Sequence, residues 1–266
     1  MKNLIGISGK AGSGKSTVAK IIQELILGHS NEEIEQSILN EAGSKIQRED
    51  SGWEVKKFAD KLKDIVCILI GCTKEDLESQ EFKSRELKED WIKYKLHDGS
   101  VYRNISKEKY DLLPKEIKDS KTLIEKLKVR DLLQLVGTDC IREKVHNNAW
   151  VNSLFADYTK DCKWIADDVR FDNEYQAVKF RNGLIIRVER PTELRFPKLY
   201  TGYTNQEEIE TWEDYLKSID LFSTIYHESE ISLDNHEFDY VIDNNGDTEN
   251  LIQQVKEILI KEKIIK

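Results

Sequence analysis

The sequence predicts an α/β fold in which a central five-stranded parallel sheet is covered by helices. Short apolar runs typical of buried strands alternate along the chain with stretches in which apolar residues recur at helical spacing. Strands that alternate with helices favour a parallel sheet, because parallel neighbours are joined by crossover helices. Two polar excursions interrupt the alternation, which indicates one core with two inserted regions.

The composition is that of a globular protein without a membrane segment. Of the 266 residues, 39% are hydrophobic and 9% aromatic, and no apolar run approaches the roughly 20 residues that span a bilayer. A formal charge of −9 and a pI near 5.3 argue against a broad face for nucleic acid polymers. The cysteines form no paired metal-binding pattern and no signal peptide is visible, so we expect a cytoplasmic protein with free thiols.

The elements follow from these periodicities. The strand candidates are short runs rich in apolar residues, at positions 4–7, 53–58, 163–168, 184–189 and 238–243. The helix candidates have an apolar face at a period of 3.6 residues, at positions 16–27, 32–39, 60–70, 129–144, 173–181, 205–219 and 248–260.

The first strand leads directly into a phosphate-binding motif. The residues that match G-x-x-x-x-G-K-[ST] are Gly9-Lys10-Ala11-Gly12-Ser13-Gly14-Lys15-Ser16. Glycines let the backbone wrap closely around a phosphate, and the amides at the start of the next helix point at the bound anion. Lys15 can reach the β- and γ-phosphates, and the Ser16 hydroxyl can hold Mg²⁺. The motif therefore predicts a nucleoside triphosphate site.

This motif and the five alternating strand–helix units with their two interruptions suggest a P-loop kinase core with two accessory regions. We predict one domain whose core comprises residues 1–28, 53–70, 129–190 and 237–266. Residues 71–128 are rich in Lys and Glu and are predicted to form a helical region that binds a monophosphate, with a tight turn at 98–100. Residues 191–236 are predicted to form a lid, while the roles of 29–52 and 196–225 stay open.

The predicted helix 129–144 has one polar arc with an unusual composition. Stepping at about 100° per residue, this arc carries Arg130, Gln134, Thr138 and Arg142, opposite an apolar arc that packs in the core. Arginine offers a fork of donors for phosphate oxygens, and glutamine a donor–acceptor pair for a base edge. An ordinary solvated helix face is the alternative.

A second candidate site follows the strand 163–168, which ends in Asp167-Asp168. A carboxylate at the end of such a strand can serve Mg²⁺, as in the Walker B arrangement. Which of the two aspartates faces the metal is left open. If the strand continues, Asp168 and Arg170 point the same way. The alternative is a salt-bridged surface pair.

Other single residues admit two interpretations each. Trp150 can stack on a base or simply lie in the core. The three arginines at the entry to the second excursion can be lid groups or surface charges, and they are Arg187, Arg190 and Arg195. The loop at 227–230 offers no geometry of a base beside a nucleophile.

Several segments together resemble the deoxynucleoside monophosphate kinases of tailed bacteriophages. Besides the P-loop they are Phe58-Ala59-Asp60-Lys61-Leu62-Lys63, Arg130-x-x-x-Gln134, Gly137-Thr138-x-x-x-Arg142, Trp150-Val151, Asp168-Val169-Arg170-Phe171-x-Asn173-Glu174, Arg190-Pro191 and His227-x-Ser229-Glu230. The P-loop is shared by many kinases, whereas the Asp-Val-Arg-Phe-x-Asn-Glu segment is much more specific.

The resemblance implies transfer of the ATP γ-phosphoryl group to a deoxynucleoside 5′-monophosphate, with Mg²⁺, in a homodimer. It implies that ATP and its metal are bound by Ala11, Gly12, Ser13, Gly14, Lys15, Ser16 and Thr17. It implies that the monophosphate is bound by Lys10, Arg130, Gln134, Thr138, Arg142, Trp150, Asp168 and Arg170. Catalysis would then fall to Lys15, Arg130, Asp168 and Arg170, and the metal to Ser16 and Asp168. One departure is Ser16, where several relatives carry Asp.

Two alternatives stay open at this point. The acceptor could be another small phosphorylated metabolite, such as dephospho-coenzyme A or phosphomevalonate. The chain could also be an ATPase switch or assembly protein, although no trans arginine finger or long oligomerisation helix is evident in the sequence. An acceptor-dependent release of ADP would separate these classes.

Overall fold

A computed structural model of the chain describes residues 2–40, 51–204, 211–218 and 222–266. The strands, in chain order, are β1 (Leu4–Ser8), β2 (Glu54–Lys56), β3 (Lys93–His97), β4 (Tyr102–Ile105), β5 (Thr122–Glu125), β6 (Trp164–Val169), β7 (Leu184–Glu189) and β8 (Tyr240–Asp243).

The helices alternate with these strands over most of the chain. They are α1 (Lys15–Leu27), α2 (Asn31–Leu39), α3 (Asp60–Ile70), α4 (Gln80–Ser84), α5 (Lys107–Asp111), α6 (Lys115–Lys121), α7 (Val129–Gln134), α8 (Ala149–Phe155), α9 (Asp172–Phe180), α10 (Thr192–Arg195), α11 (Pro197–Thr204), α12 (Trp212–Ser218), α13 (Phe222–Ile225), α14 (Glu228–Ile231) and α15 (Thr248–Lys261). A π-helix (Leu135–Val145) continues α7, and 3₁₀ turns occur at Asp76–Glu78 and Glu89–Trp91.

The chain divides into two compact units. The first comprises Met1–Phe58 and Val151–Lys266, and the second comprises Ala59–Trp150. The second unit is larger than the predicted excursion 71–128, since it also takes in α3, α7 and the π-helix.

The first unit is built on the predicted five-stranded parallel sheet, which is confirmed. The strand order is β2-β6-β1-β7-β8, and every neighbouring pair is parallel. Side chains alternate between the two faces of a strand. Ile5 of β1 therefore belongs to a buried cluster with residues of α1 and α15, whereas Leu4 belongs to a second cluster with residues of α8 and α9.

The helix after the phosphate-binding loop begins and ends at glycines. Gly14 precedes α1 with a φ of 97°, and Gly28 follows it with a φ of 86°, both in the left-handed region that glycine adopts without steric cost. Between them Val18, Ile21 and Ile22 are fully buried against the sheet. Burial of this stripe, worth roughly 1.5–3 kcal/mol per large side chain, fixes the helix directly behind the loop.

The excursion after α1 begins with the predicted short helix, which the structure shows as α2. Ser30 caps it: the Ser30 hydroxyl accepts from the Glu33 amide, and the Glu33 carboxylate accepts from the Ser30 amide. This capping box satisfies two backbone donors at the helix start. Residues 41–50 of the excursion lie outside the described part of the chain.

The second unit carries more strand than the predicted helical region implies. The strands β4, β3 and β5 form an antiparallel sheet in that order. The predicted tight turn at 98–100 joins β3 to β4, and the Asp98 carboxylate accepts from the amides of Ser100 and Val101 there. The many charged residues of this segment obscure the period-2 alternation that marks a strand.

The polar arc predicted on 129–144 does not continue as an α-helix. After Gln134 the hydrogen bonding widens to the π pattern, in which each amide bonds five residues back. The step of about 100° per residue therefore does not hold beyond Gln134, and Thr138 and Arg142 are not in α-helical register with Arg130. Gly137 permits close packing on α3, since a Cβ there would lie 2.8 Å from a methyl group of Leu62.

The predicted lid forms short helices, α10 to α14, in the first unit. Part of the predicted helix 205–219 is present as α12, while positions 205–210 and 219 lie outside the described residues. Among the helices that are described, none combines the length and the apolar character needed to cross a membrane.

Candidate active site

The phosphate-binding loop connects β1 to α1 at the carboxyl edge of the sheet. Its glycines meet other parts of the first unit at close range. Gly12 has a φ of 76°, and a Cβ there would lie 3.2 Å from the Arg195 carbonyl oxygen. A Cβ on Gly14 would lie 2.5 Å from Nδ2 of Asn244. The backbone conformation therefore favours glycine at both positions, and a side chain at either would press on these neighbours.

Asn244 braces the loop from the end of the edge strand β8. It follows β8, and its side-chain Nδ2 donates to the Ser13 carbonyl over 2.8 Å. Its own amide donates to the carbonyl of Glu189, the last residue of β7, also over 2.8 Å. The loop is thus held by the ends of β7 and β8 as well as by its own turn.

Lys15 folds back over the loop that carries it. Its Nζ donates to the carbonyls of Gly9 at 2.7 Å and Lys10 at 2.9 Å. Burial and the nearby Arg170 guanidinium lower the pKa of Lys15 from 10.5 to about 8. The negative charges of Glu230 and the two adjacent aspartates oppose this change in part. The Lys15 side chain is therefore held against the loop by backbone carbonyls, with carboxylates nearby.

The two adjacent aspartates of β6 have different partners. The Ser16 hydroxyl donates to Oδ2 of Asp167 over 2.9 Å, and Lys57 Nζ lies 3.7 Å from the same oxygen. Asp167 is 2% exposed. Asp168 instead accepts the Phe58 amide at 2.8 Å. Geometry therefore pairs Asp167, rather than Asp168, with the hydroxyl of the phosphate-binding motif.

These groups suit a divalent cation of the Mg²⁺ kind. Ser16 and Asp167 supply a hydroxyl and a carboxylate oxygen within 2.9 Å of each other, and Mg²⁺ prefers oxygen ligands and takes few from the protein. Among the described residues no cluster of three or more acidic, His or Cys side chains forms a self-contained metal site. A shared site with the phosphates of a nucleotide is consistent with this donor set.

The turn after β6 holds Arg170 in place through Glu174. This buried carboxylate, in the first turn of α9, accepts from the amides of Arg170 at 2.8 Å and Phe171 at 3.2 Å. A carboxylate is favourable near a helix N-terminus. The backbone of Arg170 is therefore fixed, while its guanidinium extends toward the phosphate-binding loop.

A carboxylate from the lid joins Arg170 to that loop. Oε2 of Glu230, on α14, accepts from the Ala11 amide at 2.6 Å, and Oε1 pairs with the Arg170 guanidinium. The Glu230 side chain is only 9% exposed. An amide of the loop and a guanidinium thus converge on one anionic group.

Asp234 makes a second set of ion pairs from the same segment of chain. Its two oxygens accept from Lys10 Nζ at 2.8 Å and from Arg187 at 2.9 Å. Arg187 is 7% exposed and also donates to the Ser8 hydroxyl. A cleft of about 600 Å³ lies alongside this cluster on the β7–β8 face of the sheet.

The other two lid-entry arginines are partly buried. Within the described residues, Nε of Arg190 and Nε of Arg195 are buried without a hydrogen-bond partner. Burial lowers the pKa of Arg195, while the charges of Glu230 and Asp234 act in the opposite direction. Because the Arg195 backbone lies against Gly12, this arginine stands beside the loop, and it is not an isolated surface charge.

The remaining predicted site residues belong to the second unit. Arg130, Thr138 and Arg142 are half-buried there, and Gln134 is exposed; their role toward a nucleotide stays a prediction. Trp150 is different, because its ring is 5% exposed and its Nε1 donates to the Gly137 carbonyl at 2.9 Å. This buried position favours the packing interpretation of Trp150 over base stacking.

Sequence reasoning missed the roles of three residues of the first unit, Asn244, Asp234 and Glu230. Glu230 lies in the predicted loop 227–230, which showed no geometry of a base beside a nucleophile, and its contact is with a guanidinium and an amide instead. Asn244 directly follows a predicted strand, and the carboxyl end of a parallel strand is where ligand-binding groups gather. The position of Asn244 directly after a predicted strand could therefore have identified it as a candidate site residue.

Comparison with known proteins identifies the family. A family model described as deoxynucleotide monophosphate kinase matches residues 3–198. The chain is 30% identical over 207 residues to the deoxynucleoside-5′-monophosphate kinase of Escherichia phage T5, covering 69% of this chain and 74% of that protein.

Among solved structures, a shikimate kinase from Acinetobacter baumannii in complex with shikimate matches with a TM-score of 0.40 and 12% identity, covering 100% of this chain and 97% of that one. This likeness is too distant to support a statement about function. The family match spans well over half of the sequence. The chain therefore belongs to the deoxynucleotide monophosphate kinase family and is a nucleotide kinase.

Proposed function

We propose that this protein transfers the γ-phosphoryl group of ATP to a deoxynucleoside 5′-monophosphate, giving the diphosphate and ADP. The observation that carries the proposal is the convergence of the Ala11 amide and the Arg170 guanidinium on one carboxylate. A loop amide and a fork of arginine donors are the groups that bind phosphate oxygens. Because the Ala11 amide and the Arg170 guanidinium bind the same group, we place the transferred phosphoryl group between donor and acceptor at that point.

Donor binding falls to the loop in this proposal. Residues 11–17 hold the ATP phosphates through their amides, and Lys15 releases the carbonyls of Gly9 and Lys10 to contact the phosphates instead. Ser16 and Asp167 would hold Mg²⁺, and the bound ion would supply positive charge to offset the negative charge of the phosphate oxygens. Asp168 accepts a hydrogen bond from the Phe58 amide. In this proposal it holds the segment at Phe58 beside the metal site and does not bind the metal.

Acceptor binding falls to arginines. Arg170 orients the acceptor phosphate, and the lid arginine Arg195 closes over the transferred group. For Arg130, Gln134, Thr138 and Arg142 of the second unit, a role in binding the acceptor stays a prediction from the sequence. The phosphate oxygen of the acceptor is already anionic near neutral pH, so the reaction needs placement and charge neutralisation and no dedicated general base.

The test is an ADP-release assay run with and without acceptor. We expect MgATP turnover to depend on a deoxynucleoside monophosphate, measured with all four common bases. Parallel reactions contain ribonucleoside monophosphates, dephospho-coenzyme A and phosphomevalonate. Turnover that needs no acceptor would indicate an ATPase, and turnover with only a non-nucleotide acceptor would refute the assigned substrate.

Arg170→Ala supplies the matching residue test. We expect kcat/KM for the monophosphate to fall about 10²-fold, the scale for losing a donor to transition-state charge. Arg170→Lys keeps the charge without the planar fork and should recover only part of the activity. Arg103→Ala is the control, since Arg103 is exposed on the β3–β4 hairpin and pairs with Asp98. An unchanged kcat/KM in Arg170→Ala would refute the role of Arg170.

A further inference from the structure

The lid segment places a carboxylate where a phosphate group is expected. Glu230 accepts from the Ala11 amide at 2.6 Å and pairs with Arg170 at the same time. Both donors are groups to which we assign phosphate contacts. The side chain is 9% exposed, so this is a nearly buried, doubly bonded carboxylate and differs from a loosely held surface ion pair.

The electrostatic surroundings of Glu230 are those of an anion site. Its charge acts to raise the pKa of Lys15 and that of Arg195, so both cations lie within its field in addition to Arg170. Two anions cannot share such a site without strong repulsion, because like charges disfavour each other at short range. A nucleotide phosphate that takes these donors must therefore displace the carboxylate.

The neighbouring Asp234 keeps the carboxylate close even when it is displaced. Asp234 follows Glu230 by four residues and pairs with Lys10 of the loop and with Arg187 of β7. This anchor holds the segment beside the loop, and a tethered group competes at a high effective concentration. An internal competitor reduces the apparent affinity of a ligand, because the ligand binds only those molecules in which the site is open. The apparent Kd equals the intrinsic Kd divided by the fraction of open molecules.

We propose that Glu230 is an internal competitor for the phosphate subsite formed by the Ala11 amide and Arg170. It binds both donors while nucleotide is absent and leaves when a nucleotide phosphate enters, so that Arg170 becomes available to the reacting groups only in the loaded enzyme. The proposal rests on the proposed function for the identity of the ligand, which is MgATP.

The test measures MgATP binding by calorimetry on the full chain, without any acceptor. Glu230→Gln keeps the size of the side chain but removes the charge that holds Arg170. We expect it to bind MgATP about tenfold more tightly than the wild type, the gain for a site that is blocked about nine-tenths of the time. Stopped-flow association should be faster in proportion, with little change in dissociation.

Glu228→Gln is the matched control, because Glu228 is exposed on the same short helix and the substitution removes the same charge. The affinity of Glu228→Gln for MgATP should stay within about twofold of the wild type, because this substitution does not remove the carboxylate that occupies the phosphate subsite. Glu230→Ala removes the acceptor atoms as well and should give a gain in the same direction, which keeps the test valid if one variant folds poorly.

Two results would overturn the proposal. Unchanged or weaker MgATP binding in Glu230→Gln and Glu230→Ala would mean that the carboxylate positions Arg170 for the ligand and does not compete with it. An equal gain in Glu228→Gln would mean a general charge effect. The binding assay contains no acceptor and is independent of the ADP-release assay. Tighter MgATP binding by Glu230→Gln, together with no turnover of deoxynucleotides in the ADP-release assay, would support the competitor and refute only the assigned acceptor.

Discussion

The Ser16 hydroxyl donates a hydrogen bond of 2.9 Å to Oδ2 of Asp167, which joins the first turn of α1 to the strand next to β1. Asp167 is 2% exposed, so the carboxylate is held within the sheet and not in solvent. Its neighbour Asp168 points to the Phe58 amide. The two adjacent aspartates have different partners because successive side chains of a strand point to opposite faces of the sheet.

Asp167→Asn should therefore weaken the metal site, while Asp168→Asn should not. We expect kcat to fall about 10²-fold in Asp167→Asn, as when one preorganised electrostatic contact is lost, with a higher Mg²⁺ concentration needed for half-maximal rate. The Mg²⁺ requirement of Asp168→Asn should match the wild type, because an amide oxygen still accepts from Phe58. A Mg²⁺ titration of the initial rate checks both, and the reverse pattern would show that Asp168 binds the metal.

Asn244→Ala should impair ATP binding although Asn244 lies outside the motif. The substitution removes the 2.8 Å hydrogen bond to the Ser13 carbonyl, and a bond of this kind contributes about 0.5–1.5 kcal/mol. We expect KM for ATP to rise roughly two- to tenfold, as the loss of that much free energy implies. Asn245→Ala is the control, since Asn245 is exposed and bonds Asp243. Equal effects of the two substitutions would contradict a specific brace on the loop.

The sequence was sufficient to predict features that depend on local pattern. The phosphate-binding loop, α1 and the strands of the parallel sheet are each encoded by residues close together in the chain, so their spacing alone identifies them. The contacts that other segments make with the phosphate-binding loop are not local. Ala11 and Glu230 are 219 positions apart, and Ser13 and Asn244 are 231 apart, so no periodicity in either segment points to the other.

The helix 129–144 illustrates a different limit of sequence reasoning. Its amphipathic pattern predicted a helix correctly, but the change to π hydrogen bonding after Gln134 has no signature in the pattern. The close approach of Gly137 to Leu62 and the bond from Trp150 to the Gly137 carbonyl are tertiary contacts. Such contacts override local propensity, and they decide which residues share a face.

Trp150→Leu should lower the stability of the protein more than its affinity for the acceptor. The substitution removes the 2.9 Å hydrogen bond to the Gly137 carbonyl, and a bond of this kind contributes about 0.5–1.5 kcal/mol, in addition to the lost packing. Urea unfolding should show the decrease in the free energy of unfolding, while KM for the monophosphate stays within about twofold. A large rise in KM with unchanged stability would instead support stacking of Trp150 on a base.

The rate should depend on pH through Lys15, whose pKa is lowered to about 8 by burial first and by Arg170 second. In the ligand-free enzyme the ammonium loses its proton as the pH rises above that value, and its attraction for phosphate is lost. Since kcat/KM reports the free enzyme, kcat/KM for ATP should fall about tenfold per pH unit above pH 8. Bound phosphates favour the charged form, so kcat at saturating ATP should stay level to higher pH.

Initial rates from pH 6.5 to 10 at saturating acceptor would check this, with Lys15→Arg as the comparison. A guanidinium stays protonated throughout this range, so the alkaline fall in kcat/KM should disappear in that variant even though its different geometry lowers the rate at every pH. If the wild type and Lys15→Arg lose activity in parallel above pH 8, the group that titrates is not Lys15, and the lowered pKa does not control ATP capture.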